Sequence, residues 1–264
     1  MIPRHEHPMP QAMRAEWLNL NGEWEFEIDK SCSGKARKLY EAPHLASKIT
    51  VPFCPESELS GVQEKDFLNC VWYRRDFTVP ASWQGGRVLL HFGAVDHLAT
   101  VYLNGKAVGT HLGGFSSFSL DITDALQDGI NSLCVSAEDN VRDTRYGHGK
   151  QSSAYESHGC FYTRVTGIWQ TVWLEHVPSE YIKSFRFYPD AENGTLTVEA
   201  TVLGSGILTV EASYKGKMMG SFSLTASCNF TVHGTISLAE KHLWDIGNGR
   251  LYDLTLRFGE DCIS

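Results

Sequence analysis

Leu98–Gly109 reads Leu-Ala-Thr-Val-Tyr-Leu-Asn-Gly-Lys-Ala-Val-Gly, and the Asn104-Gly105 pair at its centre decides the fold class. Asn-Gly accepts the two left-handed backbone conformations of a type I′ turn, whose twist suits two paired strands. Leu98–Leu103 is rich in strand formers and Lys106–Gly109 returns along the partner, so the stretch reads as a hairpin. Outward from it, alternation and turn signals dominate and helical periodicity is almost absent. Gly22–Ile28 puts Trp24, Phe26 and Ile28 on one face, Val71–Val79 surrounds Trp72 and Tyr73, and Arg87–Phe92 is strongly apolar. Asn131–Glu138 alternates Leu133, Val135 and Ala137, and Gly167–Val177 carries Ile168, Trp169, Val172, Trp173 and Leu174 in a dense apolar run. Residues 30–48 are polar and read as loop.

The rhythm breaks at residues 139–160, a polar stretch with Gly147, Gly149 and Gly159 and no periodicity. A loop of that length inside a compact domain is usually functional. A domain boundary is expected at Pro178-Ser179-Glu180, dividing the chain into 1–178 and 179–264. Beyond it come short, regular strands at Ile182–Phe187, Gly194–Leu203, Ile207–Tyr214, Ser221–Leu224, Phe230–Leu238 and Leu251–Phe258. That spacing predicts an immunoglobulin-like β-sandwich, without the Cys…Trp…Cys signature of an antibody domain.

The chain has 264 residues, 23 Lys+Arg against 31 Asp+Glu, and a formal net charge of -8. This mildly acidic balance repels a phosphate backbone, so no nucleic-acid partner is expected. No apolar run approaches the roughly 18 residues of a membrane span, so no membrane partner is expected either. The seven cysteines, at 32, 54, 70, 134, 160, 228 and 262, are odd in number and form no CxxC pair. They read as free thiols, which predicts a cytoplasmic protein. The sequons at Asn193 and Asn229 matter only in a secreted protein.

Phosphate-cradling, dinucleotide-binding, zinc-protease and nucleophile-elbow motifs are all absent. His5 with His7 and His91 with His97 read as exposed or hydrogen-bonded histidines, so neither metal nor cofactor is expected. A glycosidase needs two carboxylates flanking a sugar bond. The loop carboxylates Glu56, Glu58, Asp139, Asp143 and Glu156 cannot be paired from spacing, so none of them makes a credible catalytic pair. Tyr146, Tyr155, Phe161 and Tyr162 lie in or beside the long loop. Such rings either pin a loop to its scaffold or stack on the apolar faces of sugars.

A set of strings recurs in one order along the chain. It includes Trp17-x-Asn19-Leu20-Asn21-Gly22-x-Trp24-x-Phe26, Pro55-Glu56-Ser57-x-Leu59-Ser60-Gly61, Trp72-Tyr73-Arg74-Arg75 and Phe92-Gly93-Ala94-Val95-Asp96. After the Asn104-Gly105 hairpin come Gly129-x-Asn131-x-Leu133-x-Val135, Tyr162-Thr163-Arg164-x-Thr166-Gly167-Ile168-Trp169, Leu243-Trp244 and Leu251-Tyr252-Asp253-Leu254. Together they resemble the N-terminal half of glycoside hydrolase family 2, the β-galactosidase, β-glucuronidase and β-mannosidase family, and most of all its β-galactosidase-like members.

The resemblance implies an all-β architecture: a jelly-roll, galactose-binding-like sandwich followed by the immunoglobulin-like sandwich. In the family a (β/α)8 barrel follows and carries both catalytic glutamates, which would lie beyond Ser264. The implied function is non-catalytic: shaping the substrate subsite of a retaining O-glycosyl hydrolase. The implied partners are a β-glycoside or oligosaccharide and the chain's own C-terminal barrel, with room for a homo-oligomer. An acidic residue six positions before the glycine of Gly167-Ile168-Trp169 touches the sugar in well-known family members, and this sequence departs from that pattern with Phe161. The expected substrate-binding residues are therefore Glu156 or His158 as polar substitutes, Phe161 as a stacking face, and Glu56 at a second rim. Arg164 is expected to make a structural ion pair or backbone contacts. The rivals are a stand-alone carbohydrate-binding module and a structural or interaction protein with no sugar site.

Overall fold

The computed structural model describes residues 2–143, 145–227 and 230–264, so Cys228 and the Asn229 sequon lie outside the described residues. Asn104 and Gly105 have φ of 52° and 78°, the left-handed pair that the type I′ turn demands. The Asn104 side chain secures the turn. Its amide donates to Ala125 O and Asn131 Oδ1, both at 2.9 Å, and its Oδ1 accepts from Ser132 N–H at 2.9 Å.

The chain divides into two compact units, the first made of Met1–Pro8, Trp17–Trp83 and Val88–Glu175. Its strands are β1 (Trp17–Asn19), β2 (Gly22–Ile28), β3 (Ser47–Val51), β4 (Cys70–Thr78), β5 (Arg87–Phe92), β6 (Val95–Asp96), β7 (Leu98–Leu103), β8 (Lys106–Leu112), β9 (Phe118–Asp121), β10 (Ile130–Glu138), β11 (Gly167–Ile168) and β12 (Val172–Val177). A four-stranded sheet in the order β1-β12-β5-β9 and a six-stranded sheet in the order β3-β2-β4-β10-β7-β8 enclose one core. Trp24, Phe26, Tyr73, Leu90, Val101, Leu133 and Leu174 meet there.

The outer face of the six-stranded sheet is covered as well. Trp72, Tyr102 and Cys134 point outward from it and pack with Leu39 and Leu45 of the preceding loop. This is why β10 is buried on both faces from Leu133 to Ala137 although its sequence alternates. Residues 30–48, expected as polar loop, thus supply this covering and the start of β3. The Gly167–Val177 run is two strands, β11 and β12, separated at Trp169–Thr171.

The second unit comprises Met9–Glu16, Gln84–Arg87 and His176–Ser264. It contains β13 (Tyr181–Asp190), β14 (Thr195–Leu203), β15 (Gly206–Tyr214), β16 (Lys217–Ala226), β17 (Thr231–Ser237), β18 (Asp253–Phe258) and β19 (Asp261–Ile263). Sheets β13-β14-β17 and β16-β15-β18-β19 form the immunoglobulin-like sandwich. In β14, Leu196, Val198, Ala200 and Val202 alternate into the core while the residues between them face outward. Arg14 explains why an N-terminal segment belongs to this unit. Its guanidinium grips Asp261 at 2.8 and 3.0 Å and donates to Ile182 O at 2.8 Å, while Met13 and Ser264 exchange backbone hydrogen bonds. A two-pronged arginine–carboxylate contact of this kind is among the stronger polar contacts in proteins.

Asn131 is fully buried and depends on Asn104 for one of its partners. Asn104→Ala should therefore lower stability by about 2 kcal/mol, read as a lower urea midpoint with unchanged slope.

Candidate functional site

The site is the segment between β10 and β11, and its architecture is set by polar side chains buried beneath it. Arg164 is 2% exposed. Its guanidinium donates to Ala154 O at 2.5 Å, to Tyr155 O at 2.8 Å and to Lys65 O, and lies 4.4 Å from the Phe67 ring. It uses backbone carbonyls rather than a carboxylate. Gln151 is also buried; its amide donates to Asp96 Oδ2 at 2.6 Å and its carbonyl accepts from Val165 N–H at 2.8 Å. Ser152 donates its N–H to Tyr162 O at 2.7 Å, and its hydroxyl lies 3.0 Å from Glu156 O and 3.3 Å from His158 Nδ1.

The C-terminal end of the loop is fixed by Glu56 and Gly167. Glu56 Oε1 accepts from the Thr166 hydroxyl at 2.7 Å and Oε2 accepts from Thr166 N–H at 3.3 Å. Gly167 has a φ of 72°, and a Cβ there would sit 2.3 Å from the Tyr73 hydroxyl. Only glycine fits that approach. The Tyr73 hydroxyl in turn accepts from Ile168 N–H at 3.2 Å.

The expected site residues divide into two groups. Glu156, His158 and Phe161 come together on the exposed arc of the loop, where His158 and Phe161 form an isolated bridge with ring centroids 5.4 Å apart. Phe161 is 41% exposed. Glu56 lies elsewhere: it is 6% exposed, placed under the loop with both carboxylate oxygens engaged by Thr166. Tyr146, Tyr155 and Tyr162 each keep more than a third of their surface exposed; Tyr162 follows Phe161 in the chain, Tyr155 lies near Arg164 and Tyr146 packs on His97. Phe115, from the turn after β8, adds a ring that meets Trp169 edge-on at 6.2 Å. Sequence reading missed Phe115, because a lone phenylalanine after Gly113-Gly114 gives no sign of what it adjoins.

Three buried carboxyls underlie this region. Burial pushes Glu56 and Asp96 above the ordinary carboxylate range. Asp139 is raised to about 7, first by burial and then by the charges of Asp96 and Glu56. It lines a cavity of about 280 Å3 with Asn69, His97, Asn140 and Tyr146.

Residues 41–169 match the family described as glycosyl hydrolase 2 galactose-binding domain-like. Over that stretch the chain is similar to glycoside hydrolase family 2. It is 27% identical over 259 residues to a β-glucuronidase of Paenibacillus borealis, covering 92% of this chain and 42% of that protein. It is 28% identical over 199 residues to a β-galactosidase of Thermoanaerobacter pseudethanolicus, covering 73% of this chain and 24% of that one. The structure of a Lactobacillus rhamnosus β-glucuronidase superposes with a TM-score of 0.74 at 25% identity, over 95% of this chain and 42% of that one. The chain thus spans less than half the length of these relatives and corresponds to the N-terminal region of family 2 glycosidases. Its fold is the family's jelly-roll, galactose-binding-like sandwich followed by an immunoglobulin-like sandwich.

The raised carboxyls set a pH dependence. Folded Asp139 keeps its proton to about pH 7, whereas the unfolded chain loses it near the ordinary value of 3.8. The stability this proton gives is full below the unfolded value and is lost as pH rises through the folded one. Between pH 5.5 and pH 8 the loss from Asp139 amounts to about 2 kcal/mol. Thermal melts should fall across that interval, and Asp139→Asn should flatten the fall.

Proposed function

We propose that this chain is the non-catalytic N-terminal region of a retaining β-glycosidase, and that its long loop forms one wall of the substrate subsite. Hydrolysis in that reading belongs to a (β/α)8 barrel carrying the two catalytic glutamates. The observation that carries the proposal is the arc of Glu156, His158 and Phe161, held rigid from below by Arg164, Gln151 and Glu56. A ring face beside a carboxylate and an imidazole suits a sugar, which offers an apolar C–H face and a rim of hydroxyls. In this reading Phe161 stacks, Glu156 and His158 hydrogen-bond, and Glu56 positions the loop from beneath. The substrate class is a β-glycoside, with β-glucuronides and β-galactosides the first to test.

The second unit supports the same reading. Leu243, Trp244, Ile246 and Leu251, in the connection from β17 to β18, are all exposed, Trp244 by 66%. Apolar side chains grouped so closely mark a surface that another body covers, here the barrel. The six described free cysteines suit a reducing compartment, and we place the enzyme in the cytoplasm. Among the described residues no helix is long and apolar enough to cross a membrane.

The purified chain should show no turnover of aryl β-glucuronides or β-galactosides; measurable hydrolysis by it alone would overturn the proposal. A second measurement joins the chain to the remaining length of the Paenibacillus borealis β-glucuronidase. In that chimera Glu156→Ala or Phe161→Ala should raise KM about fivefold with kcat little changed, the loss of one contact of about 1 kcal/mol. Unchanged KM in both variants removes the loop from the subsite.

A further inference from the structure

Cys32 and Cys70 are far apart in sequence, yet their thiols are close enough to act on one another's ionisation. The backbone brings them together. Strand β2 runs antiparallel to β4 with Ile28 opposite Val71, and the next rung is Asp29 N–H donating to Cys70 O at 2.9 Å. The chain then turns: Cys32 N–H donates back to Asp29 O at 3.0 Å, and Cys32 takes a φ of 50° that returns it toward Cys70. The Asp29 carboxylate holds this turn by accepting from Ser33 N–H at 3.1 Å, Gly34 N–H at 2.6 Å and Trp72 Nε1–H at 3.3 Å. Burial raises the Asp29 carboxyl, but the hydrogen bonds from Gly34 and Ser33 outweigh it and hold the group low, so the turn keeps its anion. Cys32 is exposed and Cys70 is buried. One thiol is open to reagent, and the second is within its reach and shielded from solvent.

We infer that Cys32 and Cys70 are a dithiol site that closes to an intramolecular disulfide on meeting a low-molecular-weight disulfide such as oxidised glutathione. Deprotonated Cys32 attacks one glutathione sulfur. The glutathione S–S bond breaks, one glutathione thiolate leaves and takes up a proton, and Cys32 is left as a mixed disulfide. Deprotonated Cys70 then attacks the Cys32 sulfur, breaking the mixed bond and releasing the second glutathione. Two protein thiols lose two electrons and two protons, and one glutathione disulfide gains them. Burial and the charges of Asp29 and Glu138 raise Cys32, and burial pushes Cys70 up to about 12. Since the thiolate is the nucleophile, closure is slow at neutral pH and speeds up in alkali. The new bond ties the turn after β2, and with it the covering that carries Leu39 and Leu45, to the start of β4. A cross-link of that span constrains the unfolded chain and raises the melting temperature.

The test uses the whole wild-type chain with oxidised glutathione, alkylation of remaining thiols, intact mass and peptide mapping. The expected product has lost two hydrogens, carries a Cys32–Cys70 bridged peptide, reverts with dithiothreitol and melts at a higher temperature. Its rate of formation should rise about tenfold between pH 7.5 and 8.5, following the thiolate fraction. Cys70→Ser should stop the reaction at the Cys32–glutathione adduct. A wild-type chain that retains that adduct, or whose Cys32 and Cys70 are both alkylated after prolonged exposure, overturns the inference, and neither readout requires a variant to fold.

Discussion

Arg164 is a charge with almost no access to water, and such a group is tolerated only when most of its donors are taken up, as Nη1 and Nη2 are here while Nε has no partner. Here the acceptors are main-chain carbonyls from two separate stretches, Ala154 and Tyr155 on one side and Lys65 on the other. Carbonyl dipoles have fixed directions, so satisfying one guanidinium fixes the course of both stretches at once. The exposed arc of Glu156, His158 and Phe161 starts directly after those carbonyls and closes through Ser152. Arg164 therefore determines where the arc stands by tying its start to the Lys65–Phe67 stretch.

Much of the fold was legible because its signals are local. Asn104-Gly105 demanded a type I′ turn whatever surrounded it, and the strands Gly22–Ile28, Arg87–Phe92 and Leu98–Leu103 have the boundaries that their patterns predict. Reading failed where burial depends on a distant partner. Ser47–Val51 was concealed in a polar stretch because its strand character comes from pairing with β2. The Met9–Glu16 segment falls within 1–178 by position, and nothing in its composition signals that it groups with the second unit. What assigns the segment is Arg14 reaching Asp261 and Met13 pairing with Ser264 at the far end of the chain.

The candidate site was legible in a different way. The family strings pointed to the loop, and its irregular composition pointed there independently. The depth of each residue was not written in either. Glu56 and Glu156 are the same residue type in similarly polar, turn-rich surroundings, yet one is beneath the loop and the other on it. The difference lies in Thr166, more than a hundred positions from Glu56, whose hydroxyl and N–H take both of its carboxylate oxygens. The contact of Cys32 with Cys70 is of the same kind: an odd cysteine count without CxxC suggests isolated thiols, and only the β2–β4 register brings two of them together.

The buried carboxyls show what this arrangement costs. Glu56, Asp96 and Asp139 are all raised by burial, and Asp96 and Glu56 raise Asp139 further. A core selected for stability alone would not hold three like groups so close. Two of them have a visible use: Glu56 holds Thr166 at the end of the loop and Asp96 holds Gln151 near its middle. The three raised carboxyls are thus gathered under the one irregular segment. Like groups buried together beneath one irregular segment are the physical mark of a segment kept for what it contacts rather than for what it stabilises.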